Sequence, residues 1–274
     1  MAVVSLDWLV PAIGLLLAGL AAGFAAGLFG IGGGFVVVPA LLLMLPLLGG
    51  DSAQYAHVAI GTSAATIIIT SIRSVMSHAK RGSVDFEILK QWAPWIVLGD
   101  GLGVVLASHV NGRILTLIFA TGVLLMSFNF LIPRLSNRVL TQEMPTGVLR
   151  VSLAGGLGAF SSLLGIGGGT IAIMIMTLCG RSIHRAVGTA SGVGTLIAIP
   201  SAIGFALIGL HDKGLPWGSL GYVNMPATIS IASMSILTAP LGVAAAHSLE
   251  PAMLKRVFGL YLVAIALLMF RNAL

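Results

Sequence analysis

Long apolar runs alternate with short polar breaks along this chain, and most of the runs have membrane length. In order they predict helical segments over 9–29, 31–48, 56–77, 92–110 and 113–132, labelled A to E. A stretch over 133–147 carries Pro133, Asn137 and Pro145 and reads as a loop. The series then starts again, with A′ to E′ over 148–164, 166–179, 185–209, 226–246 and 251–271. The fold class this predicts is all-α and polytopic in a membrane. Residues 1–132 form a first membrane repeat, 133–147 a cytoplasmic linker, and 148–274 a second membrane repeat.

The two halves carry the same landmarks. Gly30-Ile31-Gly32-Gly33-Gly34 recurs 135 positions later as Gly165-Ile166-Gly167-Gly168-Gly169. Gly61-Thr62 in C recurs as Gly188-Thr189 in C′ at an offset of 127. Leu102-Gly103-Val104 in D matches Leu241-Gly242-Val243 in D′ at 139, and at that offset Phe119 falls on Phe258. The drifting offset places insertions in loops. Small residues at four-residue spacing mark one face each of A (Gly19, Gly23, Gly27), A′ (Ala154, Gly158, Ser162), D (Gly99, Gly103, Ala107) and D′ (Thr238, Gly242, Ala246). Such faces let membrane helices approach closely, so they read as packing surfaces.

The glycine runs sit inside apolar segments. Glycine in a helix interior costs about 1 kcal/mol relative to alanine, so four in five residues predict a break. A break within a bilayer is tolerated where it is buried in protein or lines a cavity. B′ has 14 residues, roughly 21 Å at about 1.5 Å per residue, too short for a hydrocarbon core of about 30 Å. A–B and A′–B′ therefore read as glycine-broken or re-entrant pairs.

Charge enters through topology. Five segments per repeat, an odd number, invert the second half relative to the first. Lys80, Arg81, Lys90, Arg134, Arg138, Arg150, Arg181, Arg185, Lys255 and Arg256 then share one side, ten basic residues against Arg113, Lys213 and Arg271 on the other. A single crossing for each A–B pair would split the same thirteen eight to five. Basic loops face the cytoplasm, which favours five plus five inverted segments with both termini outside. The expected location is the bacterial inner membrane. Only Asp7 precedes the first apolar run, without a Lys or Arg, so this run reads as a mature helix and not as a cleaved signal.

Composition agrees: 57% of the 274 residues are hydrophobic and 8% charged, against about 25% charged in a soluble domain. The net charge of +6 reads as cytoplasmic loops, with no nucleic-acid partner. Cys179 is the single cysteine, so no disulfide forms within the chain. His57, His78, His109, His184, His211 and His247 fall at segment ends without metal-ligand spacing, and no serine has a nearby His-Asp arrangement. No metal, no cofactor and no enzymatic activity are expected.

The candidate chemistry lies at the breaks. If B and B′ are half-helices, their N-termini begin at Gly32–Gly34 and Gly167–Gly169. Each offers unpaired N–H groups and about half a positive charge, which suits anionic oxygens. No Lys-Ser/Thr follows, so this is not a P-loop. The expected substrate-binding residues are Gly30, Gly32, Gly33, Gly34, Gly165, Gly167, Gly168 and Gly169, with the hydroxyls Thr62, Ser63, Thr170 and Thr189. Asp100, the one carboxylate well inside a span, is a candidate for a coupling proton. Its repeat partner is Ala239.

The two glycine runs, with Gly61-Thr62-Ser63, then His78, Gly82 and the pair Val84-Asp85, resemble the sulfite exporter TauE/SafE family, also called toluenesulfonate uptake permeases. The resemblance spans about residues 20–270 and implies transport of sulfite, sulfoacetate or other organosulfonates. The expected function is a secondary transporter of small sulfur-containing anions. An anion channel built on the same breaks, or a structural or accessory membrane subunit, are the alternatives. The expected partners are the anion and the lipid bilayer, with a homodimer left open.

Overall fold

In a computed structural model, residues 9–132, 139–248 and 250–273 are described. The linker positions Pro133, Arg134, Asn137 and Arg138 lie outside them. Among the described residues ten α-helices form: α1 (Leu9–Phe29), α2 (Gly34–Met44), α3 (Tyr55–Ala79), α4 (Phe86–Ser108), α5 (Gly112–Leu131), α6 (Gly147–Leu164), α7 (Gly169–Leu178), α8 (Ile183–Ile208), α9 (Met225–Ser248) and α10 (Pro251–Ala273). They correspond one to one to segments A to E′. Five, built on α1, α3, α6, α8 and α9, are long and apolar enough to cross a membrane.

Local chemistry sets the helix ends. Asp85, Asn111 and Asn224 each accept a backbone N–H three residues on, from Ile88 (3.2 Å), Ile114 (2.9 Å) and Ala227 (3.0 Å). The Asp85 cap starts α4 at Phe86, six residues before the expected start, because the polar lead-in Glu87, Lys90 and Gln91 is helical although it is not apolar. Asp100 consequently lies deep within α4. A short hairpin, β1 (Ser219–Leu220) and β2 (Val223–Asn224), precedes α9 and has no counterpart in the apolar pattern.

The helices pack in matched pairs. α1 lies along α9 as α4 lies along α6, α3 touches α9 as α8 touches α4, and α2 touches α3 as α7 touches α8. Two further large contacts join like to like, α3 with α8 and α5 with α10, while the contact of α1 with α2 has no counterpart of its size between α6 and α7. The small-residue faces make the close pairs. A methyl group on Gly19 would lie 2.6 Å from the Ile231 carbonyl oxygen, and one on Gly158 would lie 2.8 Å from the Asp100 nitrogen. Ser235 and Thr238 of α9 then donate to the Gly19 and Leu20 carbonyls, each at 2.9 Å. On α4 the small face Gly99, Asp100, Gly103 and Ala107 is buried, while Leu98 and Leu102 on the opposite face are more than 60% exposed. Small and polar residues inward with leucines outward is the arrangement a lipid surround requires.

Candidate functional site

Both glycine runs break their helices as the composition dictates. Gly30, Gly32 and Gly33 have φ of 65°, 74° and 84°, and Gly165 and Gly168 have 62° and 64°. These left-handed conformations are open to glycine at little cost. Gly33 and Gly168 are the residues immediately before α2 and α7. The two helices have 11 and 10 residues, about 15 Å each at about 1.5 Å per residue, and each starts in the protein interior.

The runs cross each other backbone to backbone. A methyl group on Gly34 would lie 2.5 Å from the Gly165 carbonyl oxygen and 2.9 Å from Ile166 Cα. Reciprocally, one on Gly169 would lie 2.6 Å from Ile31 Cα and would meet the Gly30 carbonyl. Ile31 and Ile166 are 1% and 2% exposed, so the crossing is sealed. α3 ties both runs in place: Ser63 Oγ donates to the Gly165 carbonyl (2.8 Å) and Thr70 Oγ1 to the Gly32 carbonyl (2.9 Å).

Thr62 and Thr189 do a different, matched job. The Thr62 hydroxyl oxygen accepts the Asn224 N–H at 2.8 Å, and that of Thr189 accepts the Asp85 N–H at 2.9 Å. Asn224 and Asp85 are the caps of α9 and α4. The glycine before each threonine admits a carbonyl of the same loop, Gly61 against Tyr222 and Gly188 against Ser83. So the repeated Gly-Thr pairs latch each long helix to the loop that starts a helix of the other half. A sequence signal for this existed: Val84-Asp85 and Val223-Asn224 stand 139 positions apart, the same offset that aligns D with D′. At the second latch the Tyr222 ring stacks on His57 at 4.9 Å and its hydroxyl donates to Asp212. Burial and the Asp212 carboxylate push the Tyr222 phenol well above its ordinary value.

Removing a latch acceptor strands a buried donor. Thr62→Val should lower stability by about 1–3 kcal/mol, the cost of an unsatisfied N–H. Thr189→Val should cost less, because Asn224 is fully buried while Asp85 is only half-buried. Thermal unfolding in detergent reads both, and wild-type melting temperatures would remove the latch from the stability account.

Thr170, the last sequence-derived hydroxyl, is 3% exposed and its oxygen has no hydrogen-bond partner. Ser71 and Ser161, which the sequence did not single out, are in the same condition and lie beside the glycine runs. Asp100 stands apart, between α4 and α8. It is fully buried, with Oδ1 accepting from Ser201 at 2.5 Å and Oδ2 without a partner. Its backbone carbonyl accepts from Ser162 of α6 at 3.2 Å. The imidazoles of His184 and His247 stack at 4.9 Å, with His78 at 5.8 Å from the latter. Among the described residues no group of side chains is placed to hold a metal ion.

Residues 15–269 match the family described as sulfite exporter TauE/SafE. A probable membrane transporter protein of Haemophilus influenzae is 35% identical over 257 residues, covering 93% of this chain and 96% of its own length. Another, from Methanocaldococcus jannaschii, is 27% identical over 252 residues, 88% of each chain. YdhB of Bacillus subtilis, likewise a probable membrane transporter protein, is 29% identical over 198 residues, 69% of this chain and 77% of its own. No solved structure matches. With that coverage and that identity, on a bundle of apolar helices broken twice at matching glycine runs, the chain belongs to the sulfite exporter TauE/SafE family of multi-pass membrane transporters.

Proposed function

We propose that the protein is a secondary carrier for small sulfur-containing anions such as sulfite or an organosulfonate. The observation that carries this reading is the crossing of the two glycine runs, each of which opens a short helix inside the bundle. The first turn of a helix has amides without intrahelical acceptors and a partial positive charge. Two such starts at one crossing suit a compact anion with three acceptor oxygens, without a buried cation. The substrate-binding set in this reading is Gly30, Gly32, Gly33 and Gly34 with Gly165, Gly167, Gly168, Gly169 and Thr170. Ser63 fixes the second run, and Thr62 and Thr189 fix the helices that frame both. The runs are closed off from the surface, which favours a carrier that must rearrange over a standing channel. Short paired segments in two halves are the sequence mark of such carriers.

The matched helix contacts support two inverted repeats that rock against each other around the crossing, with Asp100 binding a coupling proton. Titration of the purified protein with sulfite, sulfate and methanesulfonate tests the substrate class. Saturable binding of sulfite or methanesulfonate is expected, and heats at the level of dilution for both, whatever sulfate does, would refute it.

In this reading the protein sits in a bacterial inner membrane with both ends of the chain outside the cytoplasm and the loop before α6 inside. Glu143 in that loop is exposed. Glu143→Cys in a Cys179→Ser background should stay unlabelled by an impermeant maleimide in intact cells and react after lysis. Labelling in intact cells would reverse the orientation.

A further inference from the structure

We infer that Ser71 and Ser161 are side-chain donors of the anion site at the crossing. This rests on the carrier reading above and names residues that reading does not contain. What separates these hydroxyls from their neighbours is where each proton goes. Two hydroxyls that touch the runs are committed: Ser63 donates to the Gly165 carbonyl and Thr70 to the Gly32 carbonyl. A proton given to a carbonyl is not available to an anion. Ser74, one turn along α3, is committed as well, to the Ala26 carbonyl and to Ser191.

Ser71 and Ser161 differ from these. Both are fully buried and both hydroxyls lack any partner. Buried polar groups are almost always bonded, so an unpartnered hydroxyl has a proton free to engage a ligand or a water. Their positions say which. A methyl group on Gly32 would lie 3.1 Å from Ser71 Oγ, and one on Gly194 would lie 2.6 Å from it. Gly194 Cα in turn lies 3.1 Å from a methyl group placed on Gly167. Ser71 therefore sits against the first run and one residue away from the second. A methyl group on Gly168, the residue immediately before α7, would lie 2.8 Å from Ser161 Oγ. Each glycine run thus has one buried hydroxyl beside it with its proton uncommitted, and Thr170 lies in the first turn of α7.

The pair also breaks the likeness of the halves. At the repeat offsets Ser71 corresponds to Ala198 and Ser161 to Ala26. The two runs are alike in backbone but receive their hydroxyls from different helices, α3 and α6. An anion with one face unlike the others, such as pyramidal sulfite or a sulfonate with its carbon substituent, matches donors arranged in that way.

Calorimetric titration of purified protein with sulfite decides the assignment. Ser71→Ala and Ser161→Ala each remove one hydroxyl and should keep the wild-type melting temperature. Each should weaken sulfite binding by at least about tenfold, the value of one hydrogen bond to a charged group. Ser74→Ala is the control: it breaks bonds within the protein and should lower the melting temperature with the affinity unchanged. Wild-type affinity in either folded serine variant overturns the assignment and leaves the carrier reading standing. If Ser71→Ala does not fold, Ser161→Ala carries the test by itself, since it contacts a different run. A wild-type protein that binds neither sulfite nor methanesulfonate overturns the carrier reading and this inference with it.

Discussion

Gly30→Ala should yield little or no folded protein. The residue has φ of 65°, where a side chain costs about 1–2 kcal/mol. The added methyl group would also drive into the Val187 carbonyl of α8, which is helix backbone and cannot swing aside. Overpacking of this kind costs about 1–3 kcal/mol, so the total is about 2–5 kcal/mol. That is a large part of what holds most folded chains together, about 5–15 kcal/mol. Gly165→Ala has the same backbone cost but meets Ile60 at 3.0–3.1 Å, partly through a side chain that can shift, so its effect should be smaller. Gly101→Ala and Gly156→Ala are the opposite case: both lie within helices with open space at the added methyl group. They should stabilise by up to about 1 kcal/mol through helix propensity. Yield of monodisperse protein and the melting temperature in detergent read all four. A Gly30→Ala variant with wild-type yield and melting temperature would show that the crossing has slack, and the account of a sealed crossing would fail.

These contrasts mark what the sequence could and could not tell. Apolar run length located all ten helices of the described residues, because each contains an apolar stretch, although only five are long and apolar enough to cross a membrane. It placed the start of α4 late, since the residues after Asp85 are helical but polar, and there a cap decides the boundary. It missed the hairpin before α9, whose two-residue strands are too short for any period; the only cues were Gly218 and Gly221, both at positive φ. The glycine breaks were legible because four glycines in five residues admit few other readings. The small faces were legible as packing because four-residue spacing has a direct geometric meaning on a helix.

The hydroxyls were the illegible part. Thr62 and Thr189 repeat, and repetition drew attention to them as ligands; the fold adds a second role the sequence did not suggest, each oxygen accepting a loop N–H, which leaves the hydroxyl's own proton unspent. Ser71 and Ser161 do not repeat and occupy ordinary positions in apolar helices. Only packing tells which serines give their protons to carbonyls and which do not. Ser161 and Ser162 are neighbours in sequence, but Ser162 donates to α4 while Ser161 faces Gly168 with no acceptor. A turn of about 100° per residue separates these fates, and nothing in a serine's identity records it.

Asp100→Asn should bind sulfite as tightly as the wild type and fail to accumulate it against a gradient. Asp100 is fully buried on α4, and no ion pair engages it among the described residues. A carboxylate without a counter-charge in such a place costs several kcal/mol, and taking up a proton relieves that cost. One oxygen accepts from Ser201 of α8, and the other is unpartnered and open to a proton. The Asp100 carbonyl lies 3.2 Å from the Ser162 hydroxyl of α6, which also reaches two carbonyls of its own helix, and Ser162 is next to Ser161 beside Gly168, so α6 touches both the helix that carries Asp100 and the second glycine run. Exchanging a proton at Asp100 would then bias the packing of α4 against α6 and α8 while leaving the anion contacts untouched. Asparagine keeps the shape and the acceptor for Ser201 but cannot exchange a proton. In proteoliposomes, one pH unit drives about a tenfold concentration ratio per proton carried, because about 1.4 kcal/mol is one decade. The wild type should approach that ratio, and Asp100→Asn should stop at about one, with counterflow exchange of labelled sulfite preserved. Gradient-driven accumulation by the variant with the wild-type pH dependence would reduce Asp100 to a packing residue between α4 and α8.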